Sequence, residues 1–318
     1  MTKPVVLLYE TMHEKAVAWL AERAEVRMAP SLDEAALLPL MPDVDGIIIR
    51  ANGKVTRRMM QAAPRLRVVG RHGVGVEAID QVAAAELRIT VVNTPYSNDE
   101  SVAEHCLGMM LALAKRLPEA DRAIRSGDWA ARYRLIGLEL QGKTLGLIGF
   151  GKIGQRLARM AHFGLDMPIV YHDVIAYPEV EQPLDARRAS LDEVLRISDV
   201  ISVHVPLVKE TRGLIGEAAL RTMKPSAFLI NSARGPVVDP AALLRALQEG
   251  WIRGAGLDVF EPEPLPRDHP LLQLENVVLS PHMAAHTDEG LYRMAQVVED
   301  VVAVIEGRAP TYPVAPPA

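Results

Sequence analysis

The chain has 318 residues, 49% hydrophobic and 24% charged, a globular composition long enough for two separate cores. A formal net charge of −5 provides no basic field for nucleic acid or an anionic membrane, and no apolar run reaches the ~18–20 residues of a bilayer span. The single cysteine, Cys106, excludes an internal disulfide or a cysteine-rich metal site, and the N-terminus lacks a signal-peptide pattern, so a cytoplasmic protein is expected.

Val5–Tyr9 reads as a first strand, and residues 11–23 carry Met12, Ala16, Trp19 and Leu20 at helical spacing. Gly46–Arg50 is a strand ending in a cation. Leu66–Gly70 is another, running into His72-Gly73-Val74-Gly75. Residues 77–86 are expected to be helical, and Ile89–Asn93 is the next strand. This alternation implies a parallel sheet covered on both faces, with ligands bound beyond the strands' carboxyl ends. Arg50 and the Gly73–Gly75 turn sit at such ends. Ser101-Val-Ala-Glu104 has the form of a capping box opening an apolar helix through about Leu113. That helix is apolar on several sides, which places it in a core or at a subunit interface.

Thr144–Ile148 is a buried strand that runs into Gly149-x-Gly151-x-x-Gly154, after which Ile153, Leu157, Ala158 and Ala161 recur at helical spacing. Strand, glycine turn and helix form a dinucleotide fingerprint. The first glycine makes the turn, the second admits a pyrophosphate, and the third lets helix pack on strand. The helix N-terminus offers its free N–H groups to the phosphates. Asp173 ends the following strand, nineteen residues after Gly154, where an acid reaches the adenosine ribose hydroxyls. It would repel a 2′-phosphate, which favours NAD over NADP.

Further on, Tyr177–Pro183 reads as a proline-bearing loop and residues 190–198 as a short helix capped by Ser190. Asp199–Pro206 and Ala227–Asn231 are strands, the second ending in Ser232-Ala233-Arg234-Gly235. Asp239 caps a helix to about Glu249. Strands at Gly254–Phe260 and Val277–Leu279 lead to Glu261, Glu263 and His282. The polar clusters from Asp173 to His282 all fall at carboxyl ends, on one edge of one sheet, which argues for a single site. A last helix spans about Asp288–Glu306.

Hydride transfer to a ketone needs a group for the substrate carboxylate, a donor to polarise the carbonyl, and an acid. Arg234 offers a bidentate fork. Histidine as a residue type can act as an acid near neutral pH, which makes His282 a candidate, and a carboxylate beside it would favour the imidazolium and orient the ring. Spacing does not separate Glu263 from Glu261 as that carboxylate, and His72, His105, His204 and His286 compete with His282. His282-x-x-x-His286 lacks the acidic partner of a zinc-protease helix, so no metal is expected.

Four segments together resemble the D-isomer-specific 2-hydroxyacid dehydrogenase family over nearly the whole chain. They are Gly149-Phe-Gly-Lys-Ile-Gly154 with Asp173; His204-Val-Pro206-Leu with Thr211-Arg-Gly-Leu-Ile215; Asn231-Ser-Ala-Arg-Gly-Pro-Val-Val-Asp239; and Leu257-Asp-Val-Phe-Glu-Pro-Glu-Pro264 with Ser280-Pro-His282. The resemblance implies Arg234, Glu263 and His282 as the catalytic set, choosing Glu263 over Glu261. It implies cofactor contacts from Gly149, Gly151, Lys152, Ile153, Gly154, Asp173, His204, Pro206, Ser232, Ala233, Asp258 and His282, with Asp258 at the nicotinamide carboxamide. Arg50, the Val74-Gly75 backbone and Asn98 match substrate-holding positions, alongside Arg234.

The resemblance also implies an α/β fold of two domains. A Rossmann-type NAD domain at about 100–287 is inserted in a flavodoxin-like substrate domain of residues 1–99 and 288–318. Dimerisation through the helix after Ser101 follows from it, with Trp129–Arg134 reaching a partner's cleft. The chain departs from the pattern at Ala51, Glu77-Ala78 and Ala284-Ala285, which bear on the substrate pocket. A long-form, feedback-controlled phosphoglycerate dehydrogenase is disfavoured because little chain follows the last helix. The expected activity interconverts a 2-keto acid and a D-2-hydroxy acid. The alternative is an NAD-sensing, corepressor-like binding protein, and Glu263 in place of a glutamine disfavours formate dehydrogenation.

Overall fold

The computed structural model describes residues 3–316, which form two compact units. One runs to Asn98 and resumes at His286; the other is Asp99–Ala285. Each is built on one parallel sheet.

The first unit holds β1 (Val5–Leu8), β2 (Glu25–Met28), β3 (Gly46–Ile49), β4 (Val68–Arg71) and β5 (Thr90–Val92) in the order β2-β1-β3-β4-β5. Both faces of β1 and β3 are buried, as their unbroken aliphatic runs require. Side chains alternate between faces. Val6, Leu8 and Ile48 join a core with Leu20, Val298 and Val301, while Val5, Leu7, Ile47 and Ile49 join one with Leu37, Met41 and Met59. At Gly70 a Cβ would lie 2.6 Å from Val301 Cγ2, so a bare backbone lets the C-terminal helix settle on β4.

Helix edges differ from the sequence reading where caps decide them. The first helix is Glu14–Arg23 rather than 11–23, with the His13 side chain accepting from Lys15 N–H. The helix expected over 77–86 begins only at Gln81, after the Asp80 carboxylate caps Ala83 N–H. The expected single helix over 288–306 is two, Asp288–Ala295 and Val297–Ile305, with Gln296 between them at ψ −7°.

The second unit holds β6 (Leu145–Ile148), β7 (Ile169–His172), β8 (Arg187–Arg188), β9 (Val200–Val203), β10 (Phe228–Asn231), β11 (Gly254–Leu257) and β12 (Val277–Leu279). Their order is β12-β11-β10-β9-β6-β7-β8, all parallel. The chain starts this sheet in the middle and winds outward in both directions, the doubly wound pattern of dinucleotide-binding folds. Helices Asp99–Lys115 and Lys152–Leu165 contribute Cys106, Met109, Met110, Leu157 and Ala161 to one core, and Pro240–Gln248 contributes Leu243 and Leu247 to the other.

Two expectations are corrected here, and one strand is new. Ser101 does not cap: the helix already starts at Asp99, and Ser101 is buried within it. The proline loop over 177–183 is the helix Pro178–Leu184, because proline at the first helical position surrenders no hydrogen bond. The two-arginine strand β8 has both residues exposed and no apolar signature to announce it. Much of the apolar surface of Asp99–Lys115 is used inside its own unit; the exposed apolar side chains are Leu117, Ile124, Trp129, Tyr133 and Ile136, just after it. Among the described residues, no helix is long and apolar enough to cross a membrane.

Candidate active site

The strand order of the second unit reverses at β6, whose neighbours are β7 and β9. The glycine turn lies at that switch point. Gly149 has φ +92°, and a Cβ there would meet the His204 carbonyl carbon at 2.8 Å, so only glycine lets the turn pass the loop after β9. A Cβ at Gly154 would meet Gly149 O at 2.6 Å, which is the close approach of helix to strand. At Gly151 a Cβ would meet nothing within 4 Å. No protein atom stands where a Gly151 side chain would point, so the turn is open on that side.

Asp173 follows β7 and faces the turn: its Oδ2 accepts from Phe150 N–H at 2.6 Å and its Oδ1 from Ile175 N–H at 3.0 Å. Lys152 and Ile153 open the helix at Gly151. His204 follows β9. Its Nε2 is buried without a hydrogen-bond partner, and burial pushes its pKa down to about 4, so the ring is neutral at physiological pH. Pro206 O accepts from Thr211 Oγ1 at 2.6 Å, closing the turn behind it.

The loop after β10 is held by Asn231. Its Nδ2 donates to Arg234 O at 3.1 Å and its Oδ1 accepts from Ala233 N–H at 3.1 Å. Arg234 Nη1 donates to Ala233 O at 2.8 Å. A Cβ at Gly235 would fall 2.0 Å from Phe260 O, so this loop and the one after β11 touch through bare main chain.

Asp258 follows β11 and is fully buried. Its Oδ1 accepts from Ser280 Oγ at 2.5 Å and Met283 N–H at 2.9 Å, and its Oδ2 from Ala284 N–H at 2.9 Å. Glu263 Oε1 accepts from Phe260 N–H at 2.9 Å, and Oε2 lies 2.9 Å from His282 Nδ1. Glu261 points elsewhere and pairs with Arg212 at 3.3 Å. Geometry therefore separates the two glutamates that spacing could not. A carboxylate only accepts, so Nδ1 of His282 carries the proton and Nε2 is the atom left for other work. His282 itself has φ +51°, a left-handed backbone uncommon for a non-glycine residue. Burial alone would raise the Glu263 carboxyl. The hydrogen bonds from His282 and Phe260, with the His282 and Arg234 charges, outweigh it and hold the group below the usual carboxylate range.

In the first unit, Arg50 follows β3 and donates from Nη1 to Thr11 O at 3.0 Å. The turn after β4 is braced by Arg71 Nε to Gly75 O at 2.6 Å and Asn93 Nδ2 to Val74 O at 2.7 Å. Asn98 Oδ1 is buried without a hydrogen-bond partner. The sequence reading missed Asn231 and Ser280 as organisers of the loops. Their only signal was their place beside Arg234 and His282.

The NAD binding domain of the D-isomer specific 2-hydroxyacid dehydrogenases matches residues 107–284. The chain belongs to the D-isomer specific 2-hydroxyacid dehydrogenase family. As a D-2-hydroxyacid dehydrogenase it is an oxidoreductase that interconverts 2-keto and 2-hydroxy acids with a nicotinamide cofactor. It is 42% identical to a glyoxylate reductase of Thermofilum pendens over 98% of this chain and 94% of that one. A D-3-phosphoglycerate dehydrogenase of Methanocaldococcus jannaschii is 41% identical over 95% of this chain but 57% of its own length. Among solved structures, a protein of Thermus thermophilus is 40% identical with a TM-score of 0.92, covering 98% of this dehydrogenase and 100% of that chain. An NADPH-dependent glyoxylate/hydroxypyruvate reductase of Sinorhizobium meliloti, in complex with NADP and malonate, is 34% identical with a TM-score of 0.87, covering 99% and 97%.

Proposed function

We propose that this dehydrogenase reduces a small 2-keto acid, glyoxylate or hydroxypyruvate, with NADH, and that Arg234, Glu263 and His282 do the chemistry. The observation that carries the assignment is the 2.9 Å contact of His282 Nδ1 with Glu263, at the same sheet edge as Arg234 and the glycine turn. The substrate group is supported by the full-length similarity to proteins named glyoxylate reductase.

The glycine turn fits a pyrophosphate, since Gly151 opens onto free space at a helix N-terminus. Gly149, Gly151, Lys152, Ile153 and Gly154 would hold the cofactor there, Asp173 its ribose, and His204, Pro206, Ser232, Ala233 and Asp258 its nicotinamide half. Asp258 has three donors on about four acceptor positions, leaving one on Oδ2 for a carboxamide N–H. The bound cofactor supplies the hydride. Arg234 holds the keto acid's carboxylate and polarises its carbonyl. His282 gives the Nε2 proton to the carbonyl oxygen as the hydride reaches the carbon, ending neutral with Nδ1–H still on Glu263. Arg50, Val74, Gly75 and Asn98 would take the rest of the substrate.

Gly151→Ala should therefore fold like the parent and weaken NADH binding by about tenfold or more, while Gly154→Ala should lower the melting temperature. Fluorescence titration and a thermal melt check this, and unaltered affinity in Gly151→Ala would remove the glycine turn from the site.

The activity itself is tested by NADH oxidation against glyoxylate, hydroxypyruvate, 3-phosphohydroxypyruvate, pyruvate and bulkier keto acids, with NADPH in parallel. The expected result is turnover of glyoxylate or hydroxypyruvate with a preference for NADH set by Asp173. Tight NADH binding with no turnover on any acid would overturn the reading. We assign the enzyme to the cytoplasm as a homodimer through the helix Asp99–Lys115 and the exposed apolar side chains that follow it, of which Trp129 and Tyr133 are the largest. The active fraction should sediment at twice the chain mass, and activity confined to the monomer would refute that assembly.

A further inference from the structure

Helix Asp99–Lys115 turns two consecutive polar side chains toward the carboxyl-edge loops of its own unit. Cys106 Sγ lies 2.9 Å from Ser232 Oγ, in the loop after β10. His105 Nε2 lies 2.9 Å from Ser280 Oγ, in the loop after β12, and 3.7 Å from Asp258 Oδ1. The helix is seated closely enough to define those distances: at Gly256 in β11 a Cβ would lie 3.0 Å from Met109 Cβ.

The directions of the hydrogen bonds follow from chemistry. Asp258 is a carboxylate and can only accept, so Ser280 donates its single O–H to Oδ1. The Ser280 oxygen is then an acceptor, and His105 must donate to it from Nε2. The chain His105 Nε2–H to Ser280 Oγ–H to Asp258 Oδ1 therefore runs one way. Its end carries more than one burden. The same carboxylate accepts from Met283 and Ala284 N–H, and the Asp258 carbonyl accepts from His282 N–H at 2.7 Å. Both residues after His282 thus hang on one buried carboxylate, while His282 itself is held by that residue's main chain. His282 is the residue whose φ of +51° needs outside support.

The geometry points to His105 as a positioning residue for hydride transfer, acting through Ser280 to fix the Asp258 carboxylate and, with it, the 280–284 segment that aims His282. This rests on the reading that Asp258 meets the nicotinamide carboxamide and His282 the keto oxygen. Without the chain, Asp258 loses a donor that a buried charge requires, its free Oδ2 position loosens, and the loop around His282 gains freedom. A misplacement of about 1 Å at such a site costs on the order of a hundredfold in rate.

The test is steady-state kinetics of the full-length enzyme, with glyoxylate and NADH varied separately, for His105→Leu, His105→Gln, Ser280→Ala and His105→Leu/Ser280→Ala, each with a thermal melt. Expected are a fall in kcat with a rise in KM for NADH in His105→Leu, between about tenfold and a hundredfold in kcat/KM. The KM for glyoxylate should move less. Gln, which keeps a donor, should restore most of the loss, and the double variant should be no worse than Ser280→Ala by more than about twofold, because one chain is broken once. Parent-like kinetics in His105→Leu, or losses that multiply in the double variant, would overturn the inference. Should His105→Leu fail to fold, Ser280→Ala and His105→Gln decide it. Parent enzyme and Arg234→Ala are assayed alongside: a parent without turnover sinks the functional reading itself, whereas an active parent with an indifferent His105 sinks this inference alone.

Discussion

Replacing Arg234 by alanine should lower kcat/KM for the 2-keto acid by about a thousandfold or more, with loss in both kcat and KM. A guanidinium makes two parallel hydrogen bonds to a carboxylate and polarises the adjoining carbonyl, and removing it takes away ground-state and transition-state contacts together. Arg234→Lys should recover only part, because an ammonium is a point charge without the planar fork. The Asn231 bonds to Ala233 N–H and Arg234 O do not involve the guanidinium, so the loop should keep its shape and the melting temperature should stay near the parent's. Near-normal turnover in Arg234→Ala would take this residue out of the chemistry.

His282→Asn should reduce kcat in both directions by roughly 10²–10⁴-fold while NADH binding persists, since the proton donor is lost and the cofactor contacts other than His282 remain. Glu263→Gln asks a finer question through its pH profile. The Glu263 carboxylate is held ionised below its usual range by its hydrogen bonds and neighbouring charges, so it faces Nδ1–H of His282 as an anion. That anion favours the imidazolium. The Gln variant removes the negative charge that favours the protonated ring. Reduction needs the protonated ring, so the alkaline limb of its profile should move to lower pH. Oxidation needs the neutral ring, so its acid limb should move the same way and activity should extend to lower pH. A Gln variant whose two profiles overlay the parent's would show that Glu263 only supports the loop.

Where chemistry demanded a residue type at a fixed place, the chain could be read directly. Gly149, Gly154 and Gly235 stand where a Cβ would strike main chain, and each polar cluster closes a strand whose aliphatic run is plain. What stayed hidden depended on partners far away in sequence. By spacing alone, without the family resemblance, Glu261 and Glu263 are alike until one meets Arg212 and the other His282. His105 looked like any histidine on an apolar helix, because Ser280 is 175 residues away. The helix Pro178–Leu184 was masked by the prolines that one would use to deny it, and β8 by having two exposed arginines for its whole length. For the apolar helix after Asn98 the sequence allowed a core or an interface, and the core of its own unit takes Met109, Met110 and Leu113.

Cys106 gives the second unit a built-in reporter. It is the only sulfhydryl in the chain, it is fully buried, and burial pushes its pKa up to about 11. Attack on a thiol reagent needs thiolate and access, and the folded unit withholds both. Any modification near neutral pH must therefore pass through an opening that lifts Asp99–Lys115 off its sheet. The rate of labelling then measures how often that unit opens, with no signal from the other unit and none from the surface.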